Sequence, residues 1–226
     1  GSKTPKSYSQ GHCFKCFKTK AECDLCIMKP ETCHYHLDTC REDEFAHSVC
    51  FQPHIVYLAN SSALKIGITR IMNMPTRWLD QGATQALPIL KVGSRRLSGH
   101  LETLIGTQIA DKTDWRKLLK GEAEPLNLIE QRDQILEEFA PKIQTIRDEF
   151  SQNLEFDENL EFLENELPRE FIYPVEQYPE KIKSLNLDKT PKIRGVLQGI
   201  KGQYLLLDIG VINIRKYTGY ELILRA

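Results

Sequence analysis

Apolar residues recur with different periods along the chain, and these periods predict its structural elements. Two runs rich in Ile, Val, Tyr and Leu flank the polar residues 60–62, a pattern typical of a β-hairpin. A third apolar run at 87–92 fits another strand, and apolar positions three and four apart over 94–110 predict a helix. Residues 53–121 are therefore expected to combine strands and helices in one domain.

The chain on either side of this domain has different patterns. Residues 1–11 are polar and predict a disordered lead-in. Residues 122–188 combine helical periodicity, in which Pro141 should interrupt or kink the helix, with an acidic run from 148 to 170. We interpret that run as a solvated linker or insertion, and the alternative is a mimic that occupies or repels a nucleic-acid channel.

Residues 189–226 predict a small antiparallel β module. Four short apolar runs, at 193–197, 204–208, 211–214 and 220–224, are separated by glycines. Lys201, Arg215 and Lys216 make this end basic, and tyrosines lie among them. Basic and aromatic residues on a β surface predict contact with single-stranded nucleic acid, whereas core tyrosines with solvated lysines are the alternative.

The segment 12–52 contains all the cysteines of the chain and predicts a metal-binding module. They are Cys13, Cys16, Cys23, Cys26, Cys33, Cys40 and Cys50. Each Cys-x-x-Cys turn suits half of a tetrahedral zinc site, and His36, or alternatively His34, completes the ligands of two structural Zn²⁺ ions. The gaps between the Cys-x-x-Cys pairs and the cysteines that follow are too short for an ordinary zinc ribbon, so the pairing of the ligands stays open. An iron–sulfur cluster and disulfides are the alternatives.

Charge and hydropathy narrow the functional classes. The formal net charge is −1 at pH 7, so nucleic-acid binding must depend on local patches rather than on overall charge. No apolar run approaches the roughly 18 residues of a membrane span, and no secretory leader is evident. Because clustered cysteines stay reduced in the cytoplasm, we expect a cytoplasmic protein without membrane contact. The sequence does not fix an oligomeric state.

The hairpin resembles the GIY-YIG nuclease superfamily, in a divergent branch that carries Lys-Ile-Gly-x-Thr. Residues 55–57 stand at the first half-motif and residues 65–69 at the second. Arg77 stands at the helix arginine of the family, and Glu102 at its metal-binding carboxylate. The resemblance covers residues 54–120 and implies an α+β fold in which helices flank a small three-stranded antiparallel sheet. The cysteine-rich front and β tail also resemble an uncharacterised family of bacterial proteins, which implies no activity.

The resemblance implies a metal-dependent nuclease of DNA or RNA whose catalytic residues are Tyr57, Lys65, Arg77 and Glu102. Mg²⁺ or Mn²⁺ on Glu102 would act as a Lewis acid, and Arg77 would bind the phosphate. Tyr57 would orient or deprotonate the attacking water. Lys65 replaces the second tyrosine of the family and would act as a base only if desolvated or crowded by cations; otherwise it would bind phosphate. Thr69 would bond a phosphate oxygen.

A second hypothesis is a non-catalytic, zinc-containing nucleic-acid-binding protein that keeps the same fold. It would bind phosphates through the cations Lys65, Arg70, Arg77, Arg95 and Arg96. A divalent ion at Glu102 would favour the nuclease, whereas a Glu102 side chain paired with a cation far from Tyr57 would favour binding alone. A core position for Tyr57, and surface positions for Arg77 and Glu102, are the structural alternatives.

Overall fold

Antiparallel sheets and helices make up the protein. The structure is a computed structural model that describes residues 3–4, 6–109, 114–151 and 159–225. Its helices are α1 (Phe14–Thr19), α2 (Asp43–Phe45), α3 (Thr76–Asp80), α4 (Arg95–Gly106), α5 (Trp115–Lys120) and α6 (Leu128–Ser151). Its strands are β1 (His54–Asn60), β2 (Leu64–Arg70), β3 (Gln85–Val92), β4 (Leu160–Phe162), β5 (Arg169–Glu170), β6 (Leu197–Lys201), β7 (Tyr204–Leu207) and β8 (Gly210–Asn213). Strands β1–β5 form one sheet and β6–β8 a second, which confirms the α+β class.

The predicted hairpin lies at one side of the larger sheet. It consists of β1 and β2, with Tyr57 directly opposite Gly67, and β3 pairs with the other side of β1. β4 and β5 pair with the outer edge of β3, so this sheet has five strands rather than the expected three. The two added strands come from segment 122–188. That part of the segment therefore belongs to the domain and is not a separate linker.

Both faces of the larger sheet are covered, which explains why every residue of β1 is buried. Side chains alternate along a strand, so Val56 points to one face and Tyr57 to the other. The face of Val56 packs against apolar residues of α4 and α6. The face of Tyr57 packs against Trp78 of α3. The sheet therefore separates the main apolar core from the smaller cluster that surrounds Tyr57.

The starts of α3 and α4 agree with the sequence-based prediction. Pro75 immediately precedes α3. The Ser94 hydroxyl accepts a hydrogen bond from the Leu97 backbone N–H at 3.1 Å, which caps the first turn of α4. α4 ends at Gly106, short of the expected end at residue 110. Residues 110–113 lie outside the described part of the chain.

The long helix predicted between residues 128 and 150 is α6. Pro141 lies inside α6, which continues to Ser151. Residues 152–158 of the acidic run lie outside the described residues. Beyond them, Glu161 on β4 pairs with Lys91 on β3 at 3.2 Å, so this acidic residue lies on a strand of the sheet. None of the described helices is both long and apolar enough to cross a membrane.

The two ends of the chain differ from the sequence-based expectation. Residues 6–11 of the expected disordered lead-in form hydrogen-bonded turns with the start of the next segment, and the Tyr8 N–H donates to the His12 carbonyl at 2.9 Å. The C-terminal sheet has three strands, and its described neighbours 193–196 and 220–224 form none. The turn at Gly11 packs against residues 218–219, so the two ends of the described chain lie together.

Gly67 has no room for a side chain because the ring of Tyr57 lies across it. A Cβ atom at Gly67 would lie 2.7 Å from the Tyr57 hydroxyl oxygen and 2.8 Å from its Cζ. We therefore expect Gly67→Ala to lower the free energy of unfolding by about 1–3 kcal/mol, measured by chemical denaturation. Gly106→Ala is the matched control.

At Gly106 a Cβ would meet only Ile66 Cγ2 at 3.7 Å, an ordinary contact. The Gly106→Ala variant should be neutral or more stable by up to about 1 kcal/mol, since alanine favours a helix. Equal free energies of unfolding for the two variants would show that the Tyr57 ring moves aside without an energetic cost.

Candidate functional site

Tyr57, Arg77 and Glu102 lie close together although they belong to β1, α3 and α4. Burial raises the pKa of Tyr57 to about 12, the positive charge of Arg77 opposes that shift, and the negative charge of Glu102 adds to it. Arg77 and Glu102 therefore both lie within electrostatic reach of the Tyr57 hydroxyl. We call these three residues the Arg77 corner. That they share a phosphate-binding pocket stays a prediction.

The Tyr57 side chain is closed off from solvent. Its exposed fraction is 0%, and its hydroxyl donates to Gln81 Oε1 at 2.8 Å. The edge of its ring packs against Trp78, with ring centroids 5.7 Å apart. A protonated, buried phenol does not suit the expected role in deprotonating water. Tyr57 instead holds α3, and with it Arg77, against the sheet.

Lys65 and Thr69 lie on the same face of β2 as Gly67 because side chains alternate along a strand. Both residues are buried, and Lys65 has an exposed fraction of 9%. The Thr69 hydroxyl donates to the neighbouring Arg70 carbonyl at 3.3 Å. The position of Lys65 meets the condition of desolvation that a lysine base requires. The position of Thr69 does not favour the expected contact with a phosphate.

Arg95 and Arg96, the expected phosphate-binding residues, are half-buried and pack against other parts of the protein. The Arg95 Nη2 donates to the Ile27 carbonyl at 2.6 Å and so joins α4 to the cysteine-rich module. Burial lowers the pKa of Arg95, and the negative charges of Cys50 and Cys26 oppose that shift. The Arg96 guanidinium lies 5.0 Å from the centre of the Phe150 ring. These positions favour a role in packing over one in a solvent-facing phosphate site.

Four cysteines surround a small cavity in the N-terminal module. They are Cys26, Cys33, Cys40 and Cys50, and we call them the cavity group; Asp24 and His34 also line the cavity, whose volume is about 20 Å³. Ligand atoms of Asp24, Cys26 and His34 all lie within 4.8 Å of one another, so this group can hold a metal ion. The predicted ligand His36 is exposed and lies outside this group. The alternative, His34, is inside it.

The other three cysteines lie outside the lining of this cavity. The backbone N–H and the thiol of Cys16 lower the pKa of Cys13, and the charge of Cys16 also acts on Cys23. We call Cys13, Cys16 and Cys23 the knuckle group. Of the Cys23–Cys26 pair in the sequence, Cys26 lines the cavity and Cys23 does not. The pairing of the zinc ligands, including an interleaved arrangement, stays a prediction.

The thiols of Cys26 and Cys50 do not ionise readily without a cation. Burial raises the pKa of Cys26 to about 11 and that of Cys50 to about 12, and neighbouring thiols add to both shifts. The guanidinium of Arg95 opposes them. A metal ion that binds at Cys26 would displace the thiol proton, which links metal binding to proton release and to folding. Among the described residues, the convergent donors that can hold an ion are Asp24, Cys26 and His34.

A large cleft opens between α3 and the C-terminal sheet, and we call it the α3–β6 cleft. Its volume is about 780 Å³. Polar side chains that line it belong to Gln10, Asn73, Thr76, Arg77, Asp80, Gln203 and Arg215. Arg77 thus faces both this cleft and the Arg77 corner. Of the predicted nucleic-acid contacts in the β module, Arg215 lies in the cleft.

Lys201 and Lys216 have other surroundings. Lys201 is 1% exposed, and its ammonium lies 5.4 Å from the Tyr173 ring centre and 5.2 Å from that of Tyr178. Burial lowers the pKa of Lys201. Lys216 is exposed and pairs with Asp188 at 3.7 Å. The expectation that Lys201 contacts nucleic acid therefore does not fit its buried position.

His54, at the start of β1, should make stability fall in acid. It is fully buried, its Nδ1 lies 2.6 Å from the Gln52 carbonyl, and its pKa is lowered to about 4 by burial, with Arg95 and Arg70 adding to the shift. The unfolded chain takes up a proton first, so stability is complete above the ordinary pKa and falls as pH decreases toward 4. The His54 contribution to this loss should be roughly 2 kcal/mol between about pH 7.5 and pH 5.

Denaturation curves of the wild type and of His54→Asn at both pH values measure this contribution. Asparagine keeps an N–H donor near the position of Nδ1 but does not titrate. Any pH effect of the cysteines is common to both proteins, so the difference between them isolates His54. Identical pH dependence in the two proteins would contradict the assignment.

The sequence alone did not identify several residues of these sites. Gln81 had no motif to mark it as the partner of Tyr57. Asp24 carried a weak signal because it lies inside a Cys-x-x-Cys pair, where an acidic residue is well placed to assist metal binding. Asn73 and Gln203 line the cleft from segments that are far apart in sequence, and no local pattern connects them.

The fold and the thiol-lined cavity define an α+β protein with a candidate metal-binding module. The chain belongs to the family described as "Protein of unknown function (DUF2797)", whose model matches residues 1–222. Neither a curated protein nor a solved structure gives a match.

Proposed function

We propose that the protein is a metal-dependent nuclease that cleaves phosphodiester bonds in DNA or RNA at the Arg77 corner. The observation that supports the proposal is the proximity of Arg77 and Glu102 to the buried Tyr57. A phosphate-binding guanidinium and a carboxylate that can hold a divalent ion are the minimum that such chemistry requires. The resemblance of the hairpin to the GIY-YIG superfamily points to the same reaction.

Each residue of the corner has a distinct task in this proposal. Arg77 binds the scissile phosphate through its planar fork and stabilises the charge that develops on it. Glu102 is half-buried and offers one carboxylate, which fits Mg²⁺ or Mn²⁺ held jointly with waters and substrate phosphate. Such an ion, when bound, supplies Lewis acidity. Lys65 would accept the proton of the attacking water only as a neutral amine and would otherwise bind phosphate, and Tyr57 positions α3.

The two guanidinium groups beside Glu102 affect when a divalent ion can bind. Arg77 and Arg95 both lie within electrostatic reach of this region. Their positive charge opposes a divalent cation in the free protein, whereas a bound phosphate offsets it. Metal binding at Glu102 should therefore be stronger when a nucleic acid is present.

Two structural Zn²⁺ ions in the cysteine-rich module complete the proposal. One ion would take four ligands from the cavity group and the convergent donors Asp24 and His34, which would leave no position for a substrate. The knuckle group supplies three thiolates and requires one further ligand. Zinc would hold together a segment that has few buried apolar residues of its own. Reduced thiols of this kind favour a cytoplasmic location.

A non-catalytic nucleic-acid-binding protein is the second candidate. The complete burial of Tyr57 favours it, because the expected activator of water is withdrawn from solvent. In that case Arg77 would bind phosphate from the α3–β6 cleft without cleavage. The cysteine-rich module would have the same structural role.

Incubation with labelled single- and double-stranded DNA and RNA separates the two candidates. We expect cleavage products with Mg²⁺ or Mn²⁺ and none when no divalent ion is added. Omitting the ion is preferable to adding a chelator, since a chelator would also remove zinc. Binding without metal-dependent products from any of the four substrates would rule out the nuclease and leave the binding protein.

A further inference from the structure

The α3–β6 cleft is held open by close packing of the C-terminal sheet on α3. At Gly202, where φ is +57°, a Cβ would lie 2.9 Å from the Asp80 carbonyl oxygen, so the β6–β7 turn rests on the end of α3. The Tyr173 hydroxyl lies 2.9 Å from the Ala83 carbonyl and 3.2 Å from the Leu79 carbonyl. The contact at Gly202 joins the two walls of the cleft, and Tyr173 holds the end of α3 in place. The cleft is therefore preformed, which reduces the entropic cost of binding.

Apolar side chains are exposed in one part of this cleft. Met72 is 74% exposed, Ile200 42% and Ile214 39%, and all three line the cleft. Exposed apolar groups that cluster beside polar ones indicate a binding surface. A ligand with a flat apolar face would cover them.

The charged groups of the cleft favour an anionic ligand. Arg77 and Arg215 enter it from opposite walls, and Asp80 is the acidic residue among the described lining residues. The protein as a whole has a net charge of −1, so this positive character is local. Guanidinium groups match the geometry of phosphate oxygens.

We propose that the α3–β6 cleft binds a single-stranded segment of nucleic acid. Arg77 and Arg215 contact its phosphates, and Met72, Ile200 and Ile214 contact the faces of its bases. A duplex hides those faces in its stack, whereas an unpaired strand exposes them. The volume of about 780 Å³ lies in the range of pockets that enclose small ligands. The cleft would therefore hold a short stretch of a single strand and not a whole duplex.

This inference rests on the proposed function, which it deepens by naming the substrate class. Arg77 belongs to both the cleft and the Arg77 corner. A strand lying in the cleft would therefore pass Arg77 and present a phosphate on the side of Glu102. Cleavage would then fall on or beside an unpaired segment.

Fluorescence anisotropy without added divalent ions measures this binding. The probes are a short labelled oligothymidylate, the corresponding oligouridylate, a duplex of equal length and thymidine monophosphate as competitor. We expect the wild type to bind a single strand more tightly than the duplex or the mononucleotide. Arg215→Glu should weaken binding on the order of tenfold and reduce the salt dependence of binding, because one phosphate contact is lost.

Two further variants keep the result interpretable. Thr76→Glu adds a negative charge to the same cleft at an exposed position in the first turn of α3, where an acidic residue favours the helix, so the fold should be kept. Its binding should also fall on the order of tenfold. Lys142→Glu makes the same charge change at an exposed residue of α6 that does not line the cleft, and its affinity should stay within about twofold.

Three results would overturn the inference. They are unchanged affinity in both cleft variants, an equal loss in Lys142→Glu, and tighter binding of the duplex or mononucleotide than of a single strand. Failure of the proposed function gives a different result. If the wild type cleaves no substrate while Arg215→Glu and Thr76→Glu lose strand binding, strand binding in the cleft is supported and the nuclease is excluded.

Discussion

Replacing Glu102 with glutamine should reduce metal-dependent cleavage on the order of a hundredfold or more. Glutamine keeps the size of the side chain but removes the charge that would hold Mg²⁺ or Mn²⁺. Arg77→Lys should have a comparable effect, since lysine keeps the positive charge and lacks the planar fork that matches phosphate. The measurement is the initial rate of product formation on the best substrate, at saturating metal.

The control for this prediction is Glu137→Gln, which alters an exposed glutamate on α6. It should cleave at the wild-type rate, and the inactive Glu102→Gln preparation also reports any contaminating nuclease. Strand binding by Glu102→Gln should persist, because the variant removes a negative charge. Wild-type rates in both Glu102→Gln and Arg77→Lys would exclude the Arg77 corner as the catalytic centre.

Replacing Cys50 with serine should have the largest effect on stability. Cys50 lies in the cavity group, beside the Arg95 side chain that joins this module to α4. Losing a structural metal of this kind should cost on the order of 4 kcal/mol or more, which corresponds to a fall in Tm of about 10 °C or more for a chain of this size. Elemental analysis by mass spectrometry should show one zinc fewer per chain.

Ser48→Ala is the matched control for this prediction. Ser48 lies in the same helical turn as Cys50, is exposed, and donates its hydroxyl to the Glu44 carbonyl at 2.7 Å. The variant should retain its metal and change stability by no more than about 0.5 kcal/mol. A wild type without bound zinc, or a Cys50→Ser variant with unchanged metal content and Tm, would contradict the zinc assignment.

The hairpin and the start of α3 could be predicted from sequence because short-range effects determine them. The polar residues 60–62 favour a turn whatever surrounds them, and the β-branched residues on either side favour extended chain. Pro75 suits the start of a helix for the same local reason. The composition of the cysteine-rich segment likewise indicated metal binding without knowledge of the fold.

β4 and β5 show where local patterns fail. Leu160 and Phe162 alternate with Glu161, but a strand of three residues carries too little signal to stand out from an acidic run. Its existence depends on the free edge of β3, which offers unpaired backbone groups. The burial of Lys201 was equally invisible to local patterns, since only the folded chain brings the rings of Tyr173 and Tyr178 close to it.

The sequence by itself determined the α+β class, the hairpin with its motif residues, and the concentration of thiols near the N-terminus. Only the tertiary structure decided that Tyr57 is buried, that Cys26 lines the cavity and Cys23 does not, and that Arg215 shares a cleft with Arg77. Local elements depend on turn chemistry and on periodicity over a few residues, which the sequence displays directly. Burial and electrostatic environment depend instead on residues far apart in the chain, and packing alone brings those together.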